Sequence, residues 1–123
     1  MPQNRRPRQP EQIWQQTIAA LNTLTGATAQ YLGKIVVANT WRSTRPDSEA
    51  LENLQLNRDG QFSMATNAKA KANETISIED KEAVHKWVKQ FGRRCAITIR
   101  DYPERVVKQA LDAQQQTILG IDA

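Results

Sequence analysis

Histidine and cysteine, the residues that most often build metal and nucleophilic sites, occur once each in this 123-residue chain, as His85 and Cys95. A metal centre needs several converging His, Cys or carboxylate ligands, and a Cys–His nucleophile needs the two side chains within hydrogen-bond reach. On one helix these two would lie roughly 15 Å apart along the axis. His85 sits among Lys81, Glu82, Lys86 and Lys89 and reads as a solvated surface residue. One cysteine cannot close an intramolecular disulfide. Cys95 falls on an apolar row and reads as a buried, inert thiol.

Other absences narrow the field further. No fully apolar run exceeds four residues, Ile35 to Ala38 being one, so no segment is expected to cross a bilayer. The Gly-Lys of GATAQYLGK (26–34) lacks the spacing of a phosphate-binding loop, and no buried strand precedes it. The carboxylate pairs Glu79/Asp80 and Asp101/Glu104 both stand at predicted helix boundaries, where capping is the ordinary explanation. No catalytic, cofactor or metal constellation is left, and the expectation is a non-enzymatic protein without a cofactor. With no disulfide framework and no export signal, it is expected in the cytoplasm.

Net charge is also scarce in the body of the chain. The formal net charge is +4, but Arg5, Arg6 and Arg8 account for most of it, and the remainder carries only +1. MPQNRRPRQ (1–9) has no apolar residue after Met1 and is expected to be a disordered basic arm. Residues 10–118 are expected to form a single domain and 119–123 a frayed end.

What the chain does have is helical periodicity. Val84, Val88, Phe91, Cys95, Thr98 and Tyr102 alternate steps of four and three, and Trp87, Phe91, Cys95 and Ile99 form an i, i+4 ridge. Ser77 followed by Asp80 supplies an approximate capping box. The helix is expected to run to about Asp101, with Pro103 giving a kink or restart and Val106, Val107, Ala110 and Leu111 a third amphipathic segment. Cys95 to Ile99 is rich in β-branched residues and could form a strand; the continuing ridge favours helix.

The same rhythm, of coiled-coil type, runs through Trp14, Ile18, Leu21, Thr25, Thr28, Leu32, Ile35 and Asn39. It predicts one helix from about residue 10 to 43, with a break near Gly26 as the alternative. Thr25, Thr28 and Asn39 on that seam either fix register or oligomer state or are poorly packed filler. Pro46 ends the helix, and Asp47 or Ser48 can cap a short turn through Leu51. Leu54 and Leu56, Asp59-Gly60, then Phe62 and Met64 predict a hairpin over 54–64. Residues 65–75 read as an exposed loop.

The expected fold is therefore mainly α with a small β-hairpin: long antiparallel helices in a bundle completed by homodimerisation. Trp41-Arg42-Ser43-Thr44-Arg45-Pro46 is the most distinctive polar cluster. Its arginines suit a helix C-terminus. Trp41, Arg42 and Arg45 are also candidate partner contacts, since Trp and Arg dominate interface hot spots. Arg5, Arg6, Arg8, Arg93 and Arg94 are candidate nucleic-acid contacts.

The strings ANTWRSTRPD (38–47), QFS (61–63), WVKQFGRRC (87–95) and IRDYPERVV (99–107) resemble a small family of uncharacterised cytoplasmic proteins and C-terminal segments from cyanobacteria. The resemblance covers about residues 30–110 and implies a regulatory or interaction role without enzymatic activity. It carries over no functional residues. The leading expectation is thus a regulatory or adaptor protein acting through protein–protein contact; the alternative is a nucleic-acid-binding accessory protein using the basic arm.

Overall fold

The longest helix starts where the sequence marks it. In the computed structural model, which describes residues 13–121, Ser77 Oγ accepts from the Asp80 N–H at 3.1 Å and opens α3 (Ile78–Thr98). Glu79 and Asp80 stand in its first turn, where carboxylates offset the helix dipole. Val84, Trp87, Val88, Phe91 and Cys95 form its buried face. The stretch 95–98 is helical; only Ile99, in extended backbone, leaves the helix. Asp101 then adopts φ 55°, a left-handed conformation that aspartate tolerates better than most residues. It turns the chain into a π-type helical stretch, Pro103–Val107, whose Val106 and Val107 are buried.

The expected single helix over 10–43 is two helices. Ile13 pairs with Thr75 as an isolated bridge, so α1 begins later than expected and spans Trp14–Leu32. Its unpaired first N–H groups are met from outside: Trp14 and Gln15 donate to the carbonyls of Glu74 and Ala72. The break falls at Gly33, φ 85°, not at Gly26, and α2 (Lys34–Thr44) follows. Across this bend the buried row changes phase. Ile35 and Asn39, in phase with α1, are exposed, while Val37, Ala38 and Trp41 are buried. Arg45, before Pro46, is extended and ends α2 as expected.

A short 3₁₀ turn (Glu49–Asn53) leads into an antiparallel hairpin, β1 (Leu54–Leu56) against β2 (Phe62–Met64), with Leu54 opposite Met64 and Leu56 opposite Phe62. Asn57 Oδ1 accepts from the N–H groups of Asp59 and Gln61 and shapes the turn. Gly60 has φ 83° and lies so close to Thr25 and Ala38 that a Cβ would stand 3.3 Å from Thr25 Cγ2. The loop expected at 65–75 contains a 3₁₀ turn, Thr66–Lys71, with Ala68 buried.

The C-terminal region packs more closely against the fold than its glutamine-rich sequence suggests. After the single turn α4 (Lys108–Ala110), Asp112 and Gln115 form a complete capping box for α5 (Ala113–Ile118). Ile118 and Leu119 are buried and Ile121 is half-buried, so the frayed end expected from 119 is docked at least to 121. The architecture is mostly helical with one small sheet. The basic arm at 1–9 lies outside the described residues.

Candidate binding surfaces

Trp41 is no surface anchor. It is fully buried, its ring stacked on Phe91 with centroids 3.7 Å apart and 6° between planes. Phe62 and Trp87 meet it edge-on at 4.9 and 5.4 Å. The indole N–H donates to Thr25 Oγ1 at 2.9 Å, and Thr25 donates to the Leu21 carbonyl at 2.7 Å. Trp87 donates in turn to the Trp41 carbonyl at 2.8 Å. In this fold Trp41 therefore has no face to offer a partner.

Arg42 and Arg45 remain exposed, but both guanidiniums have local duties. Arg42 donates to Asn39 Oδ1 and to the Asn57 carbonyl, tying α2 to the hairpin turn. Arg45 donates to the Leu51 carbonyl and lies 5.6 Å from the centre of the Trp87 ring, a cation–π distance. Arginines at a helix C-terminus thus hold the returning chain. They flank a cleft of about 480 Å³ that also touches Leu54 and Leu56.

Thr28, the second buried seam threonine, repeats the Thr25 arrangement. It donates to the Leu24 carbonyl at 2.9 Å and shares a 2.7 Å hydrogen bond with the Tyr102 hydroxyl. Tyr102 also hydrogen-bonds Cys95; burial pushes the thiol up to about 11, and that bond pulls it the other way. Burial likewise raises the Tyr102 phenol. At neutral pH both groups are uncharged, and Cys95 is a poor nucleophile. His85 faces elsewhere. It is half-buried rather than solvated, and its Nε2 lies 3.0 Å from the Ile118 carbonyl. A carbonyl only accepts, so Nε2 carries the proton. No group of three or more His, Cys, Asp or Glu residues suited to a metal occurs among the described residues.

Two further surfaces have opposite character. An open cleft of about 830 Å³ carries Glu49, Glu52, Glu79 and Asp80 with one cation, Lys71. A groove of about 690 Å³ runs between α3 and the C-terminal region, edged by Lys86, Lys89 and Arg93. Arg93 and Arg94 are both exposed, and Arg5, Arg6 and Arg8 lie outside the described residues. Glu104 pairs with Lys108 at 3.5 Å. At the α1–α2 bend Tyr31, Ile35 and Val36, close together in sequence, are 52%, 74% and 49% exposed.

Among the described residues no helix is long and apolar enough to cross a membrane. In comparisons with known proteins no family model, curated protein or solved structure matches the chain.

Proposed function

We propose that this is a non-enzymatic regulatory or adaptor protein that works through protein–protein contact, with the α1–α2 bend as its contact surface. One observation carries the reading: three large apolar side chains, Tyr31, Ile35 and Val36, stand in water within six residues of sequence. Burying such a patch is favourable in proportion to its apolar area. The cyanobacterial resemblance and the cytoplasmic expectation agree with a role of this kind. The same patch is our proposed homodimer surface, since a two-fold interface needs one self-complementary face.

Affinity capture from the native cell tests the reading with two variants. The Ile35→Ser/Val36→Ser protein should lose partners that the Arg42→Ala/Arg45→Ala protein keeps. The reverse pattern returns the contact to the end of α2. Sedimentation equilibrium at micromolar concentration should give a dimer mass that Ile35→Ser/Val36→Ser reduces to a monomer.

Nucleic-acid binding is the second reading, favoured by the exposed cations Lys86, Lys89, Arg93 and Arg94 on α3. A mobility-shift titration at low and physiological salt decides it, because phosphate contacts weaken steeply with salt. No shift at low salt rejects this reading.

A further inference from the structure

The groove beside α3 has features that the exposed bend does not need. One wall is α3, from His85 to Ala96, and the opposite wall is the C-terminal region, including Val107 and Leu119. That opposite wall is fixed in place: Leu119 is buried and His85 hydrogen-bonds the Ile118 carbonyl. Its volume of about 690 Å³ lies in the range of small-molecule sites, which are largely apolar with a few placed polar groups.

The charged groups here are all of one sign. Lys86, Lys89 and Arg93 recur at steps of three and four, so they line one side of α3. All three are exposed, none has an ion pair among the described residues, and no carboxylate lines the groove. Such a site favours an occupant with a negative group on one side and an apolar body on the other.

Gly92 adds an independent clue. Glycine is a poor helix former, yet it sits in the middle of α3 and lines this groove. The fold does not demand it. A Cβ at Gly92 would meet only the Tyr102 ring, at 4.0 Å, an ordinary contact. What the missing side chain does is keep the groove open, as the small side chain of Ala96 does one turn later.

We infer that this groove binds an anionic amphiphile: a carboxylate or phosphate head held by Lys86, Lys89 and Arg93, with an apolar body lying over Gly92 and Ala96 against Pro103 and Ile121. The site is separate from the α1–α2 bend and does not depend on the function proposed there.

Amide chemical shifts of the full chain, followed during titration with dodecanoate below its micelle concentration, test this directly. The expected result is saturable change centred on Gly92, Ala96, Leu119, Gly120 and Ile121. Dodecyltrimethylammonium, with the same tail and the opposite head, should not reproduce it. Dodecyl phosphate compared with dodecanoate identifies the preferred head; saturation by either supports the site. Lys86→Gln/Lys89→Gln/Arg93→Gln, all exposed positions, should weaken binding by about tenfold or more, the loss of at least one of three charge-assisted contacts. Ala96→Trp should block the groove while circular dichroism stays unchanged; if that variant fails to fold, the glutamine variant carries the test alone. The inference is overturned if neither anion saturates, if the changes centre on Tyr31, Ile35 and Val36, or if the cationic amphiphile binds equally well. It is also overturned if the folded variants bind like the wild type, or if an acidic amphipathic peptide saturates the groove where both anions fail.

Discussion

Thr25 and Thr28 lie one turn apart on α1 and do nearly the same thing. Each donates to the carbonyl four residues back and hydrogen-bonds an aromatic side chain from a distant segment. Their surroundings differ. Thr25 serves Trp41, which is enclosed by Phe62, Trp87 and Phe91. Thr28 serves Tyr102, which enters the irregular π-type stretch and packs beside Cys95. An indole N–H can only donate, whereas a phenol can donate or accept. The same local device is therefore indispensable in one place and adaptable in the other. Buried threonines of this kind fix which aromatic docks where, because a misplaced partner leaves a polar group unsatisfied.

Removing the ring on the Thr25 side should have the largest effect. Trp41→Ala should cost about 3–5 kcal/mol in denaturant unfolding, the range for emptying a large buried aromatic. A cost near that of a surface substitution would mean the aromatic cluster is not the centre of stability.

Gly120→Ala attacks the Thr28 side from outside. Gly120 has φ 73°, and a Cβ would stand 2.5 Å from the His85 ring, so strain adds to collision. A loss of about 1–3 kcal/mol is expected, with faster amide exchange over residues 118–121 than over α1. Uniform exchange would show that the C-terminal region does not open independently.

The threonine comparison itself is sharpened by two nearly isosteric changes. Thr25→Val strands the indole N–H and should cost about 1–3 kcal/mol. Tyr102→Phe leaves Thr28 still bonded to the Leu24 carbonyl and should cost about 1 kcal/mol or less. Equal costs would remove the asymmetry.

The last effect should appear only in alkali. Cys95 has its thiol raised from 9.0 to about 11 in the fold. A raised value means that the neutral form is favoured by folding. The stability it contributes is fully present below pH 9 and is lost as pH rises through about 11. Thermal melts of the wild type and Cys95→Ala should run parallel below pH 9 and converge between 9 and 11. Constant separation through that window would show that the thiol does not titrate with folding.

Much of this arrangement was readable in advance, and the exceptions have physical causes. α3 was legible because Ser77, Glu79 and Asp80 mark its start and an unbroken ridge marks its buried face. The hairpin was legible from alternation around Asp59-Gly60. The bend at Gly33 was hidden because Ile35 and Asn39 keep α1's rhythm, while Val37, Ala38 and Trp41 offer a second row at similar spacing. Periodicity alone cannot say which row is buried. Asp112 and Gln115 carried a usable capping signal that the run of glutamines masked. The roles of Thr25 and Thr28 were unreadable because their partners, Trp41 and Tyr102, lie 16 and 74 residues away. The groove draws on α1, α3 and the C-terminal region at once, so no local pattern announced it.

Asn22 makes two hydrogen bonds to one residue of β2. Its Nδ2 donates to the Phe62 carbonyl at 3.1 Å, and its Oδ1 accepts from the Phe62 N–H at 2.6 Å. A side-chain amide thus occupies the place where a third strand would pair. A short sheet normally offers its outer edge as a template for other chains. Here the helix beneath has already filled that position, so β2 is shielded at Phe62 from runaway pairing with a neighbouring molecule. Asn22→Ala would free both groups, and the penalty would emerge as a tendency to aggregate on heating.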